Sequence, residues 1–204
     1  ILTPFFIQGA VELCEKSPSI FRSRLSPSLT NITCQWVIYR EDGTVLWVSP
    51  GASNNFSFPT TAAPGKYRIV GTPQPLNQTC SSSAELTVTV IARPPKPAAI
   101  AGQTVICSNT PLPYTVLGNE PYSVLWSVFG GSPVSQTGSP VNVTWNGNGA
   151  HWLTATYVSN DGLGCKSDTA KLNVTNIPGL SISGAPSACE GAVRFYSADF
   201  YENF

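Results

Sequence analysis

Residues 123–133 read SVLWSVFGGSP. The first seven alternate about a central Trp126, the period-two pattern of an extended strand with one face in a core. The GGSP that follows, residues 130–133, is built of turn formers. Working outward, the same grammar recurs on both sides. Upstream, PYTVL (113–117) is another alternating run, cut off from the first by GNEPY (118–122). Downstream come VNVTW (141–145), the turn NGNG (146–149), HWLTATYVS (151–159), the hairpin loop NDGLG (160–164) and a last strand, AKLNVTNI (170–177). No window long enough for a helix carries a helical period. About seven short strands in about 80–95 residues, with a tryptophan on the third, describe a β-sandwich.

The segment has a twin. TCQWVIY (33–39), the hairpin EDGT (41–44), VLWVS (45–49), FSFP (56–59), GKYRIVG (65–71) and AELTVTVI (84–91) repeat the plan, with Trp36 in the place of Trp126. Each copy is introduced by one phrase, I-x-G-x(4)-C: IQGAVELC at 7–14 and IAGQTVIC at 100–107. The phrase returns at 182–189 as ISGAPSAC. Internal repetition of this kind sets the architecture before any single motif does. The expected organisation is a sandwich over 1–92, a proline-rich linker over 93–100, a second sandwich over 101–177, and over 178–204 the first strands of a third. The linker stretch ARPPKPAAI (92–100) holds three prolines, which stiffen it toward an extended conformation and suggest beads on a rod.

Composition narrows the function classes. Among 204 residues, 11 basic and 11 acidic side chains cancel, so no field exists to draw nucleic acid or an anionic membrane. The apolar runs fall far short of the roughly 20 residues that span a bilayer, so no membrane insertion is expected. Methionine is absent and ILTPFFIQG (1–9) has no basic leader, so the chain reads as a mature or excised piece of something longer. Six cysteines form no C-x-x-C pair, and the one histidine, His151, is near none of them. Structural disulfides in an oxidising compartment follow, rather than zinc.

In order, I-x-G-x(4)-C, WSVFGG (126–131), VNVTW and GLGC (162–165) resemble the PKD-like and immunoglobulin-like repeats of large Bacteroidetes surface proteins. These are similar to repeats of cell-surface adhesins, including gliding adhesins exported by the type IX secretion route. The resemblance covers most of residues 95–204. The first unit departs from it: WVIYRED (36–42) replaces the Gly-Gly turn, and no tryptophan stands where Trp145 does. It implies tandem immunoglobulin-like (PKD-like) β-sandwiches in an extracellular, cell-surface setting, and it names no ligand.

The aligned positions of the two units predict disulfides Cys14–Cys80 and Cys107–Cys165, with rival pairings through Cys34 left open and Cys189 seeking a partner in a third unit. Trp36 and Trp126 are the expected core anchors. Trp145 and Trp152 invite comparison with the sugar-stacking aromatics of carbohydrate-binding modules, although their place on strands favours burial. Trp47 follows the Asp42–Gly43 turn on an expected edge strand. No nucleophile elbow, HExxH or P-loop occurs, so no enzyme, cofactor or metal is expected. His151 reads as an edge or surface residue, and Asp161 as a turn former rather than a calcium ligand. Asn-x-Ser/Thr sequons begin at Asn31, Asn55, Asn77, Asn142 and Asn173. DTA (168–170) is similar to the motif that Bacteroidetes O-glycosylate, which would place a sugar on Thr169. The expected role is a stalk or spacer in an adhesin, touching neighbouring repeats or other copies of itself. The alternatives are a filament subunit that donates residues 178–204, or a carbohydrate-binding array that meets surface glycans.

Overall fold

The computed structural model describes residues 5–25, 31–74, 83–106, 110–118, 121–146, 150–176, 180–184, 186–187 and 189–200. Among these the chain is all-β, with no helix. It falls into two compact units, one of residues 1–93 with 159–166, the other of 94–158 with 167–204.

Unit 1 is built from β1 (Phe5–Gln8), β2 (Glu12–Cys14), β3 (Ile20–Leu25), β4 (Cys34–Arg40), β5 (Val45–Val48), β6 (Asn55–Ser57), β7 (Gly65–Pro73) and β8 (Ala84–Ile91). They form a three-stranded sheet, β1-β3-β6, and a five-stranded sheet, β2-β8-β7-β4-β5. Alternation does the sorting. Along β4, Cys34, Trp36 and Ile38 point inward, and Tyr67, Ile69, Val88 and Val90 meet them from β7 and β8. Trp36 is fully buried, packs 4.9 Å from the Phe56 ring of the other sheet, and donates its indole N–H to the Ser53 carbonyl at 2.9 Å. A buried indole needs such an acceptor. The β4–β5 hairpin turns on Gly43 at φ 81°, where Asp42 Oδ1 accepts from the Thr44 N–H at 2.8 Å.

Unit 2 repeats the plan with β9 (Ile100–Ala101), β10 (Val105–Ile106), β11 (Leu112–Val116), β12 (Ser123–Phe129), β13 (Gly131–Ser132), β14 (Ser135–Thr137), β15 (Val141–Trp145), β16 (His151–Val158) and β17 (Ala170–Asn176). Its sheets are β9-β11-β15-β13 and β10-β17-β16-β12-β14. The five-stranded sheets of the two units correspond position for position: a short parallel edge strand, the last strand, its predecessor, the tryptophan strand and its hairpin partner. In both, the entering chain pairs first with one sheet and then crosses to run parallel to the final strand of the other. This is the strand order of an immunoglobulin-like sandwich. Trp126 is fully buried at its centre, with its indole N–H on the Gly138 carbonyl at 2.6 Å. Pro97, in the proline-rich stretch, is also fully buried, so that prolyl ring packs into the fold.

A further two strands, β18 (Leu180–Ser183) and β19 (Ser197–Phe200), pair antiparallel as a sheet of their own.

Candidate functional site

The recurring phrase has a common structural meaning. β1 pairs with β3 so that Gln8 faces Arg22, which sets Gly9 opposite Phe21. β9 pairs with β11 with Ala101 facing Thr115, setting Gly102 opposite Tyr114. β18 pairs with β19 with Ser183 facing Ser197, setting Gly184 opposite Tyr196. In each case the ring lies flat on the glycine. A Cβ would stand 2.1 Å from Phe21 Cδ1 at Gly9, 2.1 Å from Tyr114 Cδ1 at Gly102 and 2.2 Å from Tyr196 Cδ1 at Gly184. No other residue leaves room for the ring, which is why glycine is the fixed letter of the phrase. Sequence reasoning found the glycine and the cysteine and missed the aromatic. The signal was there, since an aromatic stands twelve residues after the glycine all three times.

What covers the ring differs. Phe21 stacks on Phe56 at 5.5 Å and leans on Phe58 at 6.0 Å. Tyr114 meets Trp145 edge-on at 5.8 Å. There the indole N–H donates to the Tyr114 hydroxyl at 2.9 Å, and the hydroxyl donates to the Gln103 carbonyl at 2.8 Å. Burial pushes the Tyr114 phenol above its ordinary value, and the Trp145 donor pulls the other way. Both rings are 0% exposed, whereas Tyr196 is 61% exposed, beside Phe195 at 89% and Val193 at 80%.

The cysteines correct the expected pairing. Cys14 is bonded to Cys165, across 151 residues of sequence. This replaces both Cys14–Cys80 and Cys107–Cys165. Cys80 and Cys107 themselves lie outside the described residues. The reason is the parallel edge strand. Cys14 faces Ile91, at the far end of β8 from the β7–β8 connection that contains Cys80. Eight residues of strand span about 23 Å, and the few residues from Ala84 back to Cys80 recover about 14 Å at most. A disulfide needs its Cα atoms within about 7 Å. Likewise Ile106, the neighbour of Cys107, faces Asn176 at the end of β17, while Cys165 precedes the start of that strand. The Cys14–Cys165 bond instead closes unit 1 around loop 159–166, where Arg93 Nε also donates to the Lys166 carbonyl at 2.5 Å. A cavity of about 360 Å³ beside them is lined by Cys14, Lys16, Arg93, Gly164 and Lys166. Cys34 is buried in the core, and Cys189 is exposed.

Asp161 shapes that loop. Its Oδ1 accepts from the Ser159 hydroxyl at 2.8 Å and from the N–H groups of Leu163 at 3.0 Å and Gly164 at 3.4 Å. These bonds, the Ser159 hydroxyl foremost, hold the carboxylate below its ordinary value. Among the described residues no three His, Cys, Asp or Glu side chains gather as a metal site.

Trp145, a candidate for sugar stacking, is 1% exposed and belongs to the core with Trp36 and Trp126. Trp152 is half-buried, parallel to Phe129 at 5.1 Å, with the Lys171 ammonium over its ring at 4.8 Å. Trp47 is half-buried and stacks on Phe56 at 5.3 Å. His151 is not the surface residue expected. It shares the inward face of β16 with Leu153, Ala155 and Tyr157, and sits 5.5 Å from the Trp145 ring. Thr169 is exposed, its hydroxyl 3.2 Å from that of Thr156. The sequon residues Asn31, Asn55, Asn142 and Asn173 are exposed, and Asn77 lies outside the described residues.

No family model matches the chain, and no curated protein matches it. Among solved structures it is similar to a biofilm associated protein BSP domain, at 16% identity over 83% of this chain and 29% of that one, with a TM-score of 0.31. It is also similar to Escherichia coli alpha-2-macroglobulin activated by porcine elastase, at 11% identity over 90% of this chain and 23% of that one, TM-score 0.37. The FN1-FN3 domains of chicken CNTN1 match at 10% identity over 85% of this chain and 68% of that one, TM-score 0.42. The chain spans less than a third of the length of the first two.

Proposed function

We propose that the chain is a non-catalytic segment of a multi-repeat extracellular surface protein, where its sandwiches serve as a stalk or spacer. One observation carries the reading: the same entry hairpin, a glycine capped by an aromatic ring, begins unit 1 at Gly9, unit 2 at Gly102 and a further stretch at Gly184. A fold reused in series with one entry rule is a spacer's way of gaining length, since each copy needs only its own core to stand. Residues 178–204 are read as the opening of a third repeat. The Cys14–Cys165 bond supports an oxidising compartment. Its gain is greatest for long enclosed loops, and 151 residues is long.

Within this reading the parent is a gliding-adhesin-like surface protein of Bacteroidetes, exported by the type IX route, and Thr169 carries an O-linked sugar. The exposure of Thr169 beside Thr156 supports the last point. An antibody against residues 1–204, applied to intact cells that carry the parent protein, is the direct test. Surface labelling without permeabilisation is expected, and labelling only after permeabilisation contradicts the proposal.

A further inference from the structure

The Cys14–Cys165 bond joins two points 151 residues apart in sequence, with their Cα atoms at 5.4 Å. Cys14 is the last residue of β2, and Cys165 lies between β16 and β17. The bond therefore brackets every described strand from β3 to β16. Inside the same bracket lie the proline-rich stretch 93–100 and the core residues Trp36, Trp126 and Trp145. Of the described strands of the two units, only β1, β2 and β17 stand outside it. A bond within each unit, Cys14–Cys80 and Cys107–Cys165, would have left the linker in the direct covalent path. The observed bond takes the linker out of that path as well. Both cysteines are set in hydrogen-bonded backbone. Beside Cys14, the Glu15 N–H donates to the Ile91 carbonyl at 2.9 Å. The Cys165 N–H donates to the Ser159 hydroxyl at 2.8 Å, and its carbonyl accepts from the Ser159 N–H at 2.9 Å.

We infer that the bond has a mechanical function: it limits how far this stretch of stalk extends, because tension passes through the two sulfur atoms and bypasses residues 15–164. This rests on the stalk reading above, in which tension enters on one side of the two units and leaves on the other. Without the bond, a stretch of this length draws out to about 500 Å once its sandwiches give way. With the bond, the same stretch contributes the span of one cystine, 5.4 Å between Cα atoms in the folded chain. Residues 1–14 and 165–204 alone then lengthen, to about 200 Å at most. Under such a load β1 and β2 peel from β3 and β8, and β17 from β16 and β10, while the strands inside the bracket are not drawn out. When tension falls, the sandwiches re-form in a chain whose distant points are already joined, which spares the entropy of closing that loop.

The test pulls the intact oxidised chain by tethers fused before residue 1 and after residue 204, in single-molecule force spectroscopy. Full extension is expected at about 200 Å. The double variant Cys14→Ser, Cys165→Ser should extend further by about 400 Å or more. Adding dithiothreitol to the extended parent gives the same reading without any substitution, so the result does not depend on the variant folding. Its two thiols exchange with the cystine, leaving Cys14 and Cys165 as thiols and the reagent as a cyclic disulfide. One further lengthening of about 400 Å or more should follow. Equal extension of the oxidised parent and the double variant overturns the inference, as does an extended parent whose length dithiothreitol does not change. Extension is read on the isolated chain, so it is independent of the antibody labelling of cells. Labelled cells with equal extension leave the stalk reading standing and remove the bypass. Limited extension without surface labelling removes the stalk reading, and with it the load that the bond would carry.

Discussion

Phe21 and Tyr114 sit at the same place in two copies of one hairpin, each pressed on a glycine, yet their cores are sealed differently. Unit 1 closes over its ring with two more hydrocarbon rings, Phe56 and Phe58. Unit 2 closes with Trp145 and a two-step hydrogen-bonded relay from indole to phenol to the Gln103 carbonyl. The apolar nest tolerates imprecision, because dispersion contacts are many and individually small. The relay does not, because each buried polar group must keep its partner. The repeat thus preserves a position and a ring while changing the chemistry around it, and at Tyr196 the same position is 61% exposed.

Valine at the capping glycines should separate the buried rings from the exposed one most sharply. At Gly102 the added side chain meets a ring that is locked in place, so Gly102→Val should destabilise unit 2 by about 3 kcal/mol or more. At Gly184 the facing Tyr196 ring is 61% exposed, so less core is disturbed and the cost should be smaller, about 1 kcal/mol. Chemical denaturation of both variants measures this. Equal losses would mean that burial of the ring does not set the cost.

The relay comes next. Tyr114→Phe leaves the Trp145 N–H and the Gln103 carbonyl without their partner, at about 2 kcal/mol, and Phe21→Tyr should cost a comparable amount by burying a hydroxyl in an apolar nest. A neutral Tyr114→Phe would show that the relay adds nothing over the rings. The same phenol gives the units different alkaline behaviour. Its folded pKa is raised above the ordinary 10.0, so the folded state holds the proton longer than the unfolded chain. That contribution is complete below pH 10.0 and is lost as pH climbs through the raised folded value. Denaturation midpoints above that pH should fall in the parent and fall less in Tyr114→Phe. The smallest effect belongs to the outer face of unit 1, where Arg68 pairs with Glu85 at 2.7 Å and lies 4.5 Å over the Tyr39 ring. Both charged groups are about half exposed, so Arg68→Ala should change stability by no more than about 0.5 kcal/mol.

Strands that alternate cleanly were legible in the sequence. SVLWSVF, VNVTW and AELTVTVI coincide with β12, β15 and β8 because one face of each is buried and the other is wet. β3 was missed, because IFRSRL buries Phe21 and Ser23 between arginines, and a buried serine gives no apolar period. Ser23 is held inside by donating to the carbonyl of Ile32, which only a tertiary structure can supply. β14 was missed because SQT is exposed throughout and presents nothing to a core. Both core tryptophans were legible from their strands, as was the role of Asp161 from its loop. The disulfide was not, because aligning the repeats says which cysteines correspond and says nothing about which end of a sandwich each one occupies. That depends on the edge strand running parallel to the last strand, a crossover with no local signature.

Disulfide topology is therefore the most direct test of the architecture, since it follows from the parallel edge strand and from the assignment of loop 159–166 to unit 1. Chymotryptic peptide mapping of the unreduced protein, alkylated at the outset to prevent exchange, reads it without perturbing the fold. A peptide containing Cys14 linked to one containing Cys165 is the predicted result, with the exposed Cys189 alkylated at once. Recovery of Cys14–Cys80 together with Cys107–Cys165 would contradict it.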